Sequence, residues 1–407
     1  MNFEKGALSN IATVISGYAF KSSWFGEGEN KVIRISDIKD NLVDPIKAVH
    51  FDADKHKVAE QFIIQESDIL IALSGATVGK FGVADKRAVG MYLNQRVAII
   101  RGHNATNSAY IKYVISGQFM DNLLLLAGGA AQPNLSTKDL ANMQIPIPTL
   151  DEQKCIATIL DKASSICRKR KQTIALTDHL LRSLFLDMFG DPVANPKGWK
   201  VDKLNDLSTK ISSGSTPKGG SKAYVEKGIP FLRSQNVWRN RVDLDDVVYL
   251  DEATHEKMEK TSLKNKDLLI TKTGRINTEN SSLGRAAMFA GEDDTANING
   301  HVYLIRLKPE VINEFVLYIM TTIEYRDYIR SVCVGGIDKR QINKGHLEEF
   351  PIIAPPVELQ QQFLEKLKAI EKQKIKLTKQ LELANNMFAA LTQQAFSGEL
   401  TKQDKVA

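Results

Sequence analysis

Apolar residues recur at alternating steps of four and three in two long stretches of this 407-residue chain. The first runs through Ile156, Leu160, Ala163, Cys167, Ile174, Leu181, Leu184 and Met188, and only Arg170 and Thr177 interrupt it. The second runs through Phe363, Leu367, Ile370, Leu377, Leu381, Ala384, Phe388, Leu391 and Ala395, and only Lys374 interrupts it. A 4-3 spacing kept up for about five heptads predicts two long helices joined by an apolar seam, as in a coiled coil. Pro148 and the pair Pro355-Pro356 stop the structure that precedes each helix. Gly190 and Gly398 stand where C-terminal stops belong. From Ile156 to Met188 the seam measures roughly 50 Å at about 1.5 Å per residue, a length that suits a rigid spacer. Paired head to tail, Lys374 falls opposite Thr177 and Arg170 opposite Leu381. Both cations then lie near mid-length, where long side chains reach water. The plainer alternative is two helices, each packed on its own globular neighbour.

The chain says nearly the same thing twice. A shift of 207 positions lays Leu150 on Val357, Gln153 on Gln360, Ile156 on Phe363, Leu184 on Leu391 and Phe189 on Phe396. The stretches before the helices repeat as well. Ile15-Ser16-Gly17 is echoed by Ser212-Ser213-Gly214, and Val32 to Ser36 by Pro230 to Ser234. Asp68 to Gly75 is echoed by Asp267 to Gly274, and Leu93 to Val97 by Ile298 to Val302. Tyr110 to Tyr113 is echoed by Phe315 to Tyr318 within helical patterns. Gly128-Gly129 and Gly335-Gly336 each open a polar loop before the long helix. Short β-branched strands, loops and a late helix in each half give an α+β fold. The boundaries read as a globular domain over 1–150, a helix over 151–190, a second globular domain over 191–356, and a helix with a tail over 357–407. A duplicated chain with a duplicated helix predicts a pseudo-twofold object.

Composition narrows the class without settling it. With 43% hydrophobic and 25% charged residues, the chain reads as soluble and globular, and no apolar run is long enough to span a bilayer. The N-terminus lacks a signal-peptide layout. Cys155, Cys167 and Cys333 are scattered and never form a CxxC pair, which fits free thiols in the cytoplasm. The net charge of +6 lies mostly in residues 151–200 and 351–407, at +3 and +2, while 1–150 and 201–350 carry +1 and 0. Charge alone thus gives only weak support for a nucleic-acid partner.

The order domain, helix, domain, helix resembles the specificity subunit of Type I DNA restriction–modification systems over essentially the whole chain. The motifs that carry the likeness are the Pro-x-x-x-Glu-Gln opening at Pro148 to Gln153 and Met188-Phe189-Gly190-Asp191-Pro192, followed by Asn195-Pro196-Lys197-Gly198-Trp199. The turn Ser213-Gly214-Ser215-Thr216-Pro217 and the closing Ala395-Phe396-Ser397-Gly398-Glu399-Leu400 complete it. Leu359 departs from the pattern where the first copy has Glu152, and the first half lacks an Asn-Pro-Lys-Gly-Trp segment. The resemblance implies two target-recognition domains and helices that pair antiparallel as a spacer. It implies double-stranded DNA as ligand, two methyltransferase subunits as partners, and translocating restriction subunits joining them. S-adenosylmethionine, ATP and Mg²⁺ would belong to those partners, and this chain would do no chemistry. A non-catalytic coiled-coil adaptor that binds only proteins is the rival reading.

The residues agree with the absence of chemistry. Gly75-Ala76-Thr77-Val78-Gly79-Lys80 has its glycines too close for a phosphate loop, and Phe81 replaces the required Ser or Thr. Asn195-Pro196-Lys197-Gly198 lacks the aromatic residue of an adenine methyltransferase motif, and none of the seven histidines falls in His-Glu-x-x-His. Bases are read by Arg or Lys on guanine, Asn or Gln on adenine, and apolar or Thr contacts on thymine, while other cations hold phosphates. The polar loops supply these types. Ser74, Thr77, Lys80, Gln95, Arg96, Gln132 and Asn134 are the candidates in the first half. Lys272, Arg275, Asn277, Arg285, His301, Lys339 and Arg340 are those in the second. Arg34 and Arg233 recur in matched strands, which argues for a shared structural or phosphate role, since base readers should differ between halves.

Overall fold

The computed structural model describes residues 3–75, 77–116, 120, 134–276, 278, 280–336 and 338–401. The fold is α+β. The chain divides into two compact units, Met1–Gln172 with Leu377–Ala407, and Thr173–Lys376. Each unit holds one globular domain and one half of each long helix, Leu150–Phe189 and Val357–Ser397. The predicted Gly128-Gly129 loop lies outside the described residues.

In unit 1 the main sheet runs in the order Ala12–Ser16, Val97–Gly102, Ile69–Ala72, Phe81–Val83, Leu42–Val43, Ile38–Lys39. Strand Ile69–Ala72 is buried on both faces, because side chains alternate across a strand. Ile69 and Ile71 face a core shared with Tyr110, Ile111, Val114 and the long helices, while Leu70 faces Val97 and Ile99 on the other side. Unit 2 repeats the plan with Ser208–Ser213, Val302–Leu307, Leu268–Thr271 and Ala286–Met288, beside the hairpin Val237–Trp238 and Arg241–Val242. A smaller sheet accompanies each. Asn30–Ile33 pairs antiparallel with Val49–Phe51 and parallel with Tyr92–Leu93. Ile229–Leu232 does the same with Val248–Leu250 and Asn297–Ile298.

The echoed Asp68 and Asp267 explain themselves as one buried ion pair made twice. Arg101 Nε and Nη2 donate to the two Asp68 oxygens at 2.8 and 2.6 Å, and Nη2 also donates to the Ile63 carbonyl. Arg306 treats Asp267 and the Ser262 carbonyl in the same way, at 2.9, 2.7 and 3.2 Å. Each aspartate also accepts a backbone N–H at 2.7 Å, from Gln65 or Lys264. Such carboxylates survive burial because both oxygens are hydrogen-bonded and a guanidinium supplies the countercharge. The bond to Asp267 holds the Arg306 guanidinium above its usual range.

The long helices pair antiparallel within each unit. In unit 1, Ile156 and Leu160 share a core with Phe388, Leu391 and Ala395. In unit 2, Leu181 and Leu184 share one with Phe363 and Leu367. Ile174, Leu377 and Leu381 lie half-buried toward mid-helix, as a two-stranded seam requires. The residues that break the seam find partners at its edge. Lys374 Nζ meets Asp178 Oδ1 at 2.5 Å, and Arg170 donates to the Gln380 carbonyl. The seam widens toward the domains beyond the simple 4-3 register. Phe185 and Phe189 are buried more deeply than Leu184 and Met188, because the helix there packs on the domain as well as on its partner. The Phe185 ring meets those of Phe189, Tyr318 and Phe363, and the Phe189 ring those of Phe315 and Phe363, at centroid distances of 5.0–5.5 Å, while Phe185–Phe315 is 6.2 Å.

The repeated motifs turn out to be helix ends. Gln153 and Gln360 each donate to the carbonyl five residues earlier, of Pro148 at 2.9 Å and Pro355 at 2.8 Å. Thr149 and Glu152 form a capping box, with Thr149 N–H to Glu152 Oε2 at 3.1 Å. In the second copy Pro356 replaces Thr149 and has no N–H to satisfy, so Leu359 can replace Glu152. The Asn-Pro-Lys-Gly-Trp segment closes the first helix. Trp199 Nε1 donates to the Phe189 carbonyl at 2.8 Å, and Lys197 Nζ donates to those of Asp187 and Met188. Gly190 and Gly398 take left-handed φ values of 79° and 78°, as helix stops do.

Two substitutions test this packing. Trp199 and Trp238 lie in unit 2 and Trp24 in unit 1. In a Trp24→Phe background, tryptophan fluorescence therefore reports unit 2 alone. Phe363→Ala is expected to lower its stability to denaturant by about 3–5 kcal/mol through loss of a fully buried ring. Asp267→Ala is expected to cost a similar ~3–5 kcal/mol, because Arg306 is left without its buried partner. Urea transitions unchanged from the background protein would refute both.

Candidate nucleic-acid interface

Backbone hydrogen bonds gather the candidate loops of unit 1 at one end of the main sheet. The Leu73 N–H donates to the Arg96 carbonyl at 2.9 Å, and the Leu135 N–H to the Leu73 carbonyl at 2.8 Å. Ser74 forms an isolated bridge with Asn134. Thr77–Lys80 form a tight turn, with Lys80 N–H to the Thr77 carbonyl at 3.0 Å and the Ala72 N–H to the Lys80 carbonyl at 2.8 Å. A strand, Phe81–Val83, follows that turn, so the glycines serve a hairpin; a phosphate loop opens a helix. Ser74, Thr77, Lys80, Gln95, Arg96 and Asn134 thus come together from three segments, with Thr77, Gln95, Arg96 and Asn134 exposed. Gln132 lies outside the described residues.

Unit 2 builds the same frame bond for bond. The Lys272 N–H donates to the His301 carbonyl at 2.9 Å, and the Ile342 N–H to the Lys272 carbonyl at 2.9 Å. Thr273–Arg275 pairs with Lys339–Gln341, so Thr273 lies against Gln341 as Ser74 lies against Asn134. The Thr271 N–H donates to the Arg285 carbonyl at 3.0 Å, which places Arg285 where unit 1 has Lys80. The turns of the echoed Asn94 and Asn299 match too. Their side chains accept the N–H of Arg96 at 3.3 Å and of His301 at 3.0 Å. Gly17 and Gly214 press on those turns so closely that an added Cβ would lie 2.1 Å from the Asn94 or Asn299 carbonyl oxygen. Only glycine permits that approach.

Arg275, His301 and Lys339 are exposed at this edge. Lys272, Arg285 and Arg340 are more inward than an open loop would place them. Lys272 Nζ donates to Ser213 Oγ and lies 4.3 Å from the Tyr303 ring centre, and burial lowers its pKa. Arg285 is 9% exposed, stacks on Trp238 at 4.0 Å and donates to the carbonyls of Asn280 and Ser281. Arg340 Nη1 donates to the Arg330 carbonyl at 3.3 Å. Asn277 lies outside the described residues. The matched Arg34 and Arg233 anchor strand ends through their backbone. Their N–H groups donate to Asp37 Oδ2 at 2.8 Å and Asn236 Oδ1 at 2.9 Å.

The hairpin Trp238-Arg239-Asn240-Arg241 is not among the sequence candidates, because it lacks the glycines that mark their loops. The signal was present. This tip corresponds to Lys39-Asp40-Asn41-Leu42 of unit 1, and exchanges a balanced tip for one with two arginines and a tryptophan.

The family model of the Type I restriction modification DNA specificity domain matches residues 1–176 and again 196–384. The specificity subunit of the Type I restriction enzyme StySPI from Salmonella potsdam is 23% identical over 432 residues, covering 97% of this chain and 89% of that protein. Two solved structures share the fold. A chain from work on complex assembly and conformational transition of the type I R-M system aligns with TM-score 0.57 and 16% identity, over 98% of both chains. The S subunit of a type I system from M. genitalium aligns with TM-score 0.55 and 15% identity, over 97% of this chain and 96% of that one. With the domain matched twice over most of its length, this chain belongs to the Type I restriction–modification DNA specificity family.

Proposed function

We propose that each unit reads one half of a bipartite, asymmetric DNA target through the loop edge described above, and that the paired helices set the distance between the halves. Family membership makes DNA specificity the chain's role. The observation that carries the finer reading is a backbone frame made twice with different side chains on it. Leu73, Arg96 and Asn134 in one unit stand where Lys272, His301 and Gln341 stand in the other. A constant frame with changed side chains presents two different hydrogen-bonding faces, and base edges are distinguished by such faces. The helices seat two methyltransferase subunits, with restriction–translocase subunits joining them. S-adenosylmethionine, ATP and Mg²⁺ are held by those partners, and this chain contributes recognition without catalysis. Among the described residues no helix is long and apolar enough to cross a membrane.

Modular reading has a direct consequence. Replacing residues 1–150 with the same domain of a relative is expected to change one half of the methylated sequence and leave the other intact, as read by methylome sequencing. A chimera with both halves altered would refute independent reading.

The helices as ruler make a second prediction. Four residues inserted after Arg170 add about 6 Å of rise, close to two base-pair steps of about 3.4 Å. The seam absorbs a four-residue insertion by local unwinding. The insertion variant is expected to keep both half-sites and lengthen the unread gap, whereas an unchanged gap in a methylating complex would remove the helices from that role.

A further inference from the structure

Unit 2 gathers arginines around the Trp238 hairpin in a way unit 1 does not. Arg285 lies 4.0 Å from the Trp238 ring centre and Arg241 lies 5.5 Å from it. Asn240, at the hairpin tip, lines the same cleft as Thr322 and Ile323, which begin the helix Ile323–Val332. Arg326 and Arg330 stand one turn apart on that helix and so share a face. The Arg340 bond to the Arg330 carbonyl ties the helix to the strand Lys339–Gln341 at the candidate interface.

Most of these cations are already engaged. Arg330 pairs with Asp327 at 3.0 Å, Arg241 with Asp243 at 3.4 Å, and Arg285 donates to two carbonyls. Arg326 differs. It is half-buried, and among the described residues its guanidinium makes no hydrogen bond or ion pair. Burial first, then the charges of Arg239, Arg330 and Arg285, push it down to about 10, with Asp327 opposing. A guanidinium held among guanidiniums without its own anion is stabilised by any anion that reaches it. Its planar fork fits the oxygens of a phosphate.

We infer that Arg326, flanked by Arg239 and Arg330, holds a backbone phosphate of the DNA bound by unit 2. Arg285 and Trp238 brace the hairpin that completes the site. The inference rests on the DNA-reading role proposed above and adds to it an asymmetry. Unit 1 has Lys39, Asp40, Asn41 and Leu42 at the matching hairpin, so its half-site is held without this anchor.

The test uses the purified full-length chain and a fluorescent 40-base-pair duplex of random sequence, with affinity followed across a salt series. One phosphate contact contributes a slope of about −0.9 in log K against log salt, so Arg326→Gln is expected to weaken binding about eightfold at 0.1 M salt. It should make the slope shallower by about one, and Arg326→Lys should restore most of it. Arg87→Gln is the control, because Arg87 is exposed in unit 1 and paired with Asp85. Its slope should stay at the wild-type value. Arg326→Met keeps the aliphatic stem and replaces the Gln variant if that one melts early. A purely structural role for Arg326 moves the melting temperature and leaves the slope alone. Variants that stay folded and keep the wild-type slope overturn the phosphate site while duplex binding still stands. A wild-type chain that binds no duplex overturns the DNA reading itself.

Discussion

The antiparallel pairing of the two long helices is the constraint on which everything else hangs. The helix residues that meet in these cores lie far apart in sequence, Phe363 more than 170 residues from Phe185 and Phe189 and Ala395 more than 230 from Ile156 and Leu160. Phe363 closes the ring of Phe185, Phe189, Phe315 and Tyr318, and Ala395 lies beneath Ile156, Leu160 and Tyr110. The hydrophobic interior of each domain includes side chains from both helices. That dependence explains why the helix ends are so carefully built. A one-residue slip of either helix against its partner would turn the apolar face by about 100° and lose the seam. The glutamine-to-proline-carbonyl bonds at Gln153 and Gln360 and the Trp199–Phe189 bond remove that freedom.

Within the domains, a second constraint holds the candidate edge steady. The Asp68–Arg101 and Asp267–Arg306 pairs lie at the starts of the strands whose far ends carry the candidate loops. Buried ion pairs give little net stability, because desolvation offsets the attraction, but they tolerate very few geometries. They hold Ile69–Ala72 and Leu268–Thr271 in fixed register with their neighbours, and so fix where Leu73 and Lys272 emerge. The interface then needs rigid backbone and free side chains at once. The close glycine contacts at Gly17 and Gly214 supply the first, and the exposed Arg96 and His301 supply the second.

Much of this was legible in the sequence, for identifiable reasons. The seam showed itself because a 4-3 apolar period is a direct image of helix geometry. The duplicated strands showed themselves because Asp68 and Asp267 recur with the same neighbours. Phe185 and Phe189 escaped the register, since their burial comes from Phe315 and Tyr318, residues that no local period reveals. The inward placement of Lys272, Arg285 and Arg340 escaped for the same reason. Loop composition says that a cation is available, but not that Tyr303 or Trp238 lies beneath it. The Asn-Pro-Lys-Gly-Trp segment stands out in the sequence as a motif, but the sequence does not show its work. Only the bonds from Lys197 and Trp199 to the carbonyls at the end of the helix show that it is a cap.

Net charge concealed the most distinctive feature of the second domain. Residues 201–350 balance to zero, which reads as indifferent to a polyanion. Their acids and bases are nevertheless sorted. Asp267, Asp243, Asp246 and Asp327 are paired with Arg306, Arg241, Arg233 and Arg330, and these pairs cancel close to where they form. What a phosphate would feel is the remainder that has no local partner, and Arg326 belongs to that remainder. A domain that reads bases must keep most of its field short-ranged, because a strongly cationic surface holds any DNA nearly as well as the right one. Neutralising the bulk of the charge in pairs and leaving Arg326 without one beside the candidate edge meets both demands. In the proposed complex a phosphate contact at Arg326 would set the register of the duplex and leave discrimination to side chains such as His301 and Gln341.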